Sequence, residues 1–202
     1  MEENRGSGFV GMSGVSDKIE YGFSVNIQER YNPKDKTSSE QEEDEREDII
    51  ESDVRDSRDV AFAADVAFQL SEKSKLRLNL LHIDTEREEK ENTRVTALER
   101  TDSSSPFAIN EIALENQLED IDQSNTSLGI DYELATARGE LNVYASTHQF
   151  KQDKRETNFE ADLGDPLELD EQELTDIDDT EDRIGLSWKH ESANSESKLG
   201  LE

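Results

Sequence analysis

Five apolar side chains, Ile19, Tyr21, Phe23, Val25 and Ile27, alternate with Glu20, Gly22, Ser24, Asn26 and Gln28. A period of two gathers all five on one side of an extended chain but scatters them around a helix, so this segment can act as an apolar face only as a β-strand. The pattern returns along the chain. Val60, Phe62, Ala64, Val66, Phe68 and Leu70 alternate with Ala61, Ala63, Asp65, Ala67 and Gln69; Leu76, Leu78 and Leu80 alternate with Arg77 and Asn79 before the pattern blurs at Leu81 and Ile83. Leu128, Ile130, Tyr132 and Leu134 repeat it, then Leu141, Val143 and Ala145, then Ile184, Leu186 and Trp188. Six strands are predicted, with two shorter ones around Phe9–Ser13 and Lys198–Leu201. The expected strand limits are near 9–13, 19–31, 59–70, 75–85, 112–134, 140–151, 182–190 and 198–202.

Charge is confined to what separates these segments. Residues 40–59 hold 11 acids and 3 bases, residues 84–122 hold 12 and 4, and residues 153–182 hold 14 and 2, which nets −8, −8 and −12 of the chain's −29. Over the rest, 14 acids nearly balance 13 bases. Connections near 14–18, 71–75, 135–139 and 191–197 are short and rich in Gly, Ser, Asp, Asn or Lys, as tight turns require. The acidic stretches predict long loops at 32–58, 86–111 and 152–181. In an antiparallel up-and-down meander successive connections fall on opposite edges, so the short turns belong to one edge and the acidic loops to the other. A helical turn around Ile49, Ile50 and Val54 lacks both caps and a sustained stripe.

Several function classes drop out. The strongly negative charge disfavours nucleic acid as a partner. Without cysteine there is no disulfide, thiolate metal site or Cys nucleophile. No run of about 20 apolar residues could span a bilayer as a helix. His82, His148 and His190 fall in different strands with no ligand spacing, and the run Asp176, Asp178, Asp179, Asp182 lacks the Gly and terminal Glu of a calcium loop. The Gly6–Gly14 cluster has no Lys-Ser/Thr ending for phosphate, and no nucleophile elbow occurs. No cofactor, metal site or enzymatic activity is expected.

A strand of about 10 residues rises about 33 Å, and a tilt of about 40° leaves about 25 Å of height, the apolar band of a transmembrane barrel. Apolar outside, polar inside, short turns at one end and long excursions at the other are what a closed sheet in lipid needs. Tyr21, Tyr31, Phe68, Tyr132 and Trp188 would supply its aromatic girdle. By parity, Asp65, Gln69, Arg77, Asn79, Asp131, Asn142 and His148 are the candidate lumen residues.

The order of these pieces resembles the first half of the barrel domain of TonB-dependent outer-membrane receptors. The resemblance is carried by GSGFVGMSG followed by DKIEYGFSVNIQERYNPKDK, by the hairpin RDVAFAADVAFQLSEKSKLRLNLLHIDTEREEKE, and by SNTSLGIDYEL leading to ELNVYASTHQF. It implies residence in the outer membrane of a Gram-negative bacterium, contact with outer-membrane lipid, and energised uptake of a scarce small molecule such as a ferric siderophore, haem, cobalamin or glycan. A signal peptide, a plug domain, a TonB-contacting box and an aromatic C-terminal residue are not found, and the chain stops at Glu202 in mid-strand. Six to eight strands fall short of the roughly 22 of such receptors. The chain is therefore expected to be a barrel segment that contacts TonB only through a plug it lacks and does not transport alone. A ligand of cationic character suits the acidic field, whereas an anionic one would need Arg87, Arg94 or Arg155. The other readings of the same residues are a secreted, water-soluble acidic β-sandwich or adhesin-like cation-binding module, and a largely disordered acidic chain.

Overall fold

The computed structural model describes residues 6–102, 104–162, 164–192 and 195–201. They form one eight-stranded antiparallel sheet in simple chain order: β1 Ser7–Ser16, β2 Ile19–Glu42, β3 Glu45–Ser71, β4 Ser74–Glu99, β5 Ala108–Thr136, β6 Gly139–Asp162, β7 Glu168–Ser192 and β8 Ser195–Leu201. Every strand pairs with its chain neighbour, and β1 and β8 do not pair with each other, so the described sheet is open. No helix occurs among the described residues, and Ile49, Ile50 and Val54 are strand positions of β3.

All eight expected strands are present; β2, β3, β4, β6 and β7 are far longer than expected, whereas β5 exceeds its expected limits by only a few residues at each end. The windows 32–58, 86–111 and 152–181 are hairpin arms rather than loops: β2 and β3 stay in register from Ile19↔Phe68 up to Glu42↔Glu45, and the connections shrink to residues 43–44, 100–107 and 163–167. The alternation disappears there because both faces of the sheet are polar, so no contrast of hydropathy marks the pleat. Cross-strand opposite charges take over, as where Lys36 Nζ donates to Glu51 at 2.9 Å across β2 and β3. Acidic content alone did not make these stretches irregular.

The edges differ as expected. On one edge lie the short connections 17–18, 72–73 and 137–138, and on the other the three hairpin tips; the fourth expected turn, near 191–197, includes residues 193–194, which lie outside the described residues. The left-handed backbone of Asp17 (φ 45°) and Glu43 (φ 42°) reverses the chain in two residues, a conformation that suits a short side chain such as Asp better than most.

Register fixes the faces. Rows of paired residues such as Ile19, Phe68, Leu76, Tyr132, Val143 and Leu186 run straight across β2–β7. Side chains directly opposite one another in an antiparallel ladder share a face, so the alternating apolar residues of all six strands form one surface. No second layer covers it among the described residues: Phe23 is 40% and Phe62 37% exposed, and Ile130 and Leu186 are exposed as well. The buried apolar residues are few, namely Ala67, Ile112 and Ile121. Leu81 and Ile83, where the alternation blurred, simply point to the other face of β4. Phe68, Tyr132 and Trp188 stand near the turns on the apolar face, Tyr21 joins them with its ring stacked on Phe23 at 5.6 Å, and Tyr31 lies four positions beyond Ile27 on the same face.

Candidate ligand-facing surface

All seven candidate lumen residues lie on the face opposite the apolar one, within four adjacent rows. Asp65 is opposite Asn79, which is opposite Gly129; one row nearer the turns, Arg77 is opposite Asp131. Asn142 is opposite Glu133 and His148 opposite Ser127. Asp65 and Arg77 approach at 3.8 Å, and His148 Nδ1 shares a hydrogen bond with the Ser127 hydroxyl at 2.8 Å. Gln69 is differently employed: its amide donates to the Ser71 and Ser74 carbonyls at 2.7 and 3.2 Å and so braces the turn.

Small residues shape the surface around these groups. Asn79 lies across Gly129, and the Tyr144 ring lies across Gly185, in each case where a Cβ would collide. An aromatic ring laid over its cross-strand glycine restores the packing that the glycine lacks. Gly11, Ser13, Gly22, Ser24 and Ala63 leave a shallow depression of about 460 Å³ beside Asp65. The polar groups of this surface can donate and accept hydrogen bonds to a solute.

Farther from the turns, the same face carries a charge network across β3–β6. Arg55 Nε donates to Glu89 at 2.6 Å, and Arg87 Nη2 donates to Glu119 at 2.6 Å. Lys154 Nζ bridges Glu119 and Glu156 at 2.7 and 2.9 Å, and the Gln117 amide donates to Glu156 at 2.6 Å. Burial pushes the Glu119 carboxyl up, but the hydrogen bonds from Lys154 and Arg87 outweigh it and hold the group below its ordinary range. Lys154 is driven the other way by its two carboxylate partners, well above the usual lysine value. These charge-assisted bonds are the strong ones, and they tie together the strands that the acidic windows had concealed. Sequence reasoning missed all of them, because it placed the partners Arg55, Arg87, Glu89, Lys154 and Glu156 in loops and, of the charged groups, only Glu119 in a strand. The retrievable signal was that each acidic window carries isolated bases that become partners once the hairpins are drawn out.

The three arginines considered for an anionic ligand do not converge. Arg87 faces the network and is engaged by Glu119; Arg94 and Arg155 share rows with Leu114 and Leu174 on the opposite face. The histidines are also apart: His82 bonds Thr126 and Asp84 on the apolar side at 2.8 and 3.1 Å, and His190 contacts the Arg138 carbonyl beside a turn. Among the described residues no group of three or more His, Cys, Asp or Glu side chains is placed to hold a metal ion. No family model and no curated protein matches this chain.

Proposed function

We propose that this chain is a wall segment of the barrel of a TonB-dependent outer-membrane receptor, with its apolar face toward lipid and its polar face toward the passage taken by a scarce small-molecule ligand. One observation carries the reading: the large apolar side chains are concentrated on one face of the turn-side half of a single sheet, with polar residues behind them. A patch of that extent on a soluble monomer would be an association site, and the alternative soluble sandwich needs a second sheet against it. Lipid meets the demand without one, provided further strands complete the ring of backbone hydrogen bonds. Asp65, Asn79, Arg77, Asp131, Asn142 and His148 then line the passage, Gln69 braces its inner rim, and TonB coupling belongs to a plug outside this chain. The resemblance of the QLSEKSKL turn and its flanking strands to receptor barrels supplies the choice of receptor class.

The test is fractionation of the complete parent protein from a Gram-negative host. A heat-modifiable band in the outer-membrane fraction, with uptake of a scarce nutrient lost on deletion of the parent gene, is the expected outcome. A soluble monomer obtained without detergent would overturn the reading.

A further inference from the structure

We infer that the depression between Phe9 and Asp65 on the polar face is a subsite for one ring of a neutral sugar. This rests on the proposed reading of that face as a ligand passage and adds the chemical class of the ligand. The register sets two unlike rows side by side there. One runs Gly11, Ser24, Ala63, Leu81 from β1 to β4, and the next row toward the turns runs Ser13, Gly22, Asp65, Asn79. Phe9, one row farther from the turns on the same face, extends its ring over Gly11 and is 70% exposed. Leu81, at the other end of the first row, is exposed as well. Gly22, Ser24 and Ala63 are too small to fill the space between, and the depression of about 460 Å³ opens there, within the roughly 300–1,000 Å³ of small-molecule sites. From Gly11 to Asp65 is two strand steps of about 4.8 Å and two residues of about 3.3 Å, or about 12 Å.

The two rows match the two surfaces of a sugar ring. An open aromatic face offers a broad apolar contact of fixed geometry, and the ring of a sugar presents its C–H groups as a flat apolar surface. Its hydroxyls, arranged around the rim, need donors and acceptors together. Beside the second row Asp65 accepts, Arg77 donates, and the Ser13 hydroxyl and Asn79 amide do both. Asp65 and Arg77 approach at 3.8 Å with side chains 53% and 42% exposed, so both keep bonding capacity toward a solute.

Charge and donor set separate this class from others. Arg77 stands between Asp65 and Asp131, so the local field is negative and disfavours an anionic ferric chelate. A bare metal ion would find one carboxylate on the wall of the depression, and no described group of three or more His, Cys, Asp or Glu side chains is placed to hold it. His148 stands on β6, three strands from Asp65, and shares its Nδ1 with the Ser127 hydroxyl, too far away to ligate a haem iron seated against Phe9. An uncharged, hydroxylated ring meets none of these obstacles.

Calorimetric titration of the complete parent protein in detergent tests the assignment, using the oligosaccharides that it captures from an array of neutral glycans, with spermidine and an iron(III) tris-catecholate complex in parallel. A neutral oligosaccharide is expected to bind, and its affinity should change less than about twofold between about 0.05 and 0.5 M salt, because no charge pair is formed. Phe9→Ala should weaken binding about tenfold and Phe9→Tyr should restore it. Asp65→Asn should weaken it about fivefold, whereas Thr93→Ala, far out on β4, should leave it unchanged. Capture of no neutral glycan, or of one whose affinity neither Phe9→Ala nor Asp65→Asn alters, would overturn the subsite. Tighter binding of spermidine or of the iron complex, lost in the same two variants, would overturn it in favour of a charged ligand. In each of these outcomes a parent protein that still fractionates with the outer membrane leaves the barrel reading intact, so the two ideas fail separately.

Discussion

Glycine has different meanings at different positions of this sheet, and substitution separates them. Gly139 begins β6 with φ 144° and its missing Cβ faces the Lys189 carbonyl, so Gly139→Ala combines backbone strain with a backbone collision and is expected to lower unfolding stability by about 1 to 3 kcal/mol. Gly22 meets only the Ser13 Cβ at 3.9 Å, and Gly22→Ala should change stability by less than about 0.5 kcal/mol. Urea titrations of the two variants side by side check both. Glu119 makes the second residue-scale prediction. Its carboxyl is held below its ordinary range in the folded chain, so its contribution is complete above the unfolded glutamate value and is lost as pH falls through the folded one. Glu119→Gln should be less stable than the parent sequence by about 1 kcal/mol at pH 7, and the two should converge on acidification. A difference that persists unchanged to pH 3 would show that charge at this site is immaterial.

At the scale of the strand, register decides where charge is tolerated. Glu86, Asp122, Asp153 and Asp176 stand directly opposite one another across β4–β7, just beyond the apolar boundary and on the same face. Like charges in direct cross-strand pairs are destabilising, and Asp122 has one on each side. Asp122→Asn is therefore expected to stabilise the sheet by about 0.5 to 1 kcal/mol, measured as a raised thermal midpoint. The gain should shrink in about 1 M salt, where the Debye length falls to about 3 Å. This row and the Glu119 network are opposite outcomes of the same extension of the strands through acidic sequence. On the polar face bases are interleaved with acids; on the other face the base of this row, Arg58, stands at its β3 end opposite Glu86, and none separates the four acids of β4–β7. The sequence shows neither result, because a charged residue in an extended hairpin is stabilised or destabilised by a residue dozens of positions away.

For the whole molecule, the distribution of apolar surface makes lipid the decisive variable. Leu78 lies in the middle of the band, between Val66 and Ile130, and Leu78→Arg on the proposed lipid face should weaken insertion by about 2 to 4 kcal/mol. Thr93→Arg, in the projecting arm of β4, should leave insertion unchanged. Equilibrium folding of the complete parent protein into vesicles distinguishes the two, and equal losses would contradict a band limited to the turn-side half.

The amino-acid sequence by itself determined eight strands, their order along the chain, the parity that sends Ile19–Ile27 and Val60–Phe68 to one face and Asp65, Arg77, Asp131 and His148 to the other, and the turn-bearing edge. It could do so because a strand between two unlike environments writes its pleat into hydropathy with a period of two. The tertiary structure alone decided that the acidic stretches are paired arms, and that Arg87 and Lys154 converge on Glu119 while Arg94 and Arg155 turn away. Where both faces meet water the pleat leaves no trace in composition, and such a convergence exists only between strands, in a register fixed by turns and ladder hydrogen bonds rather than by any single segment.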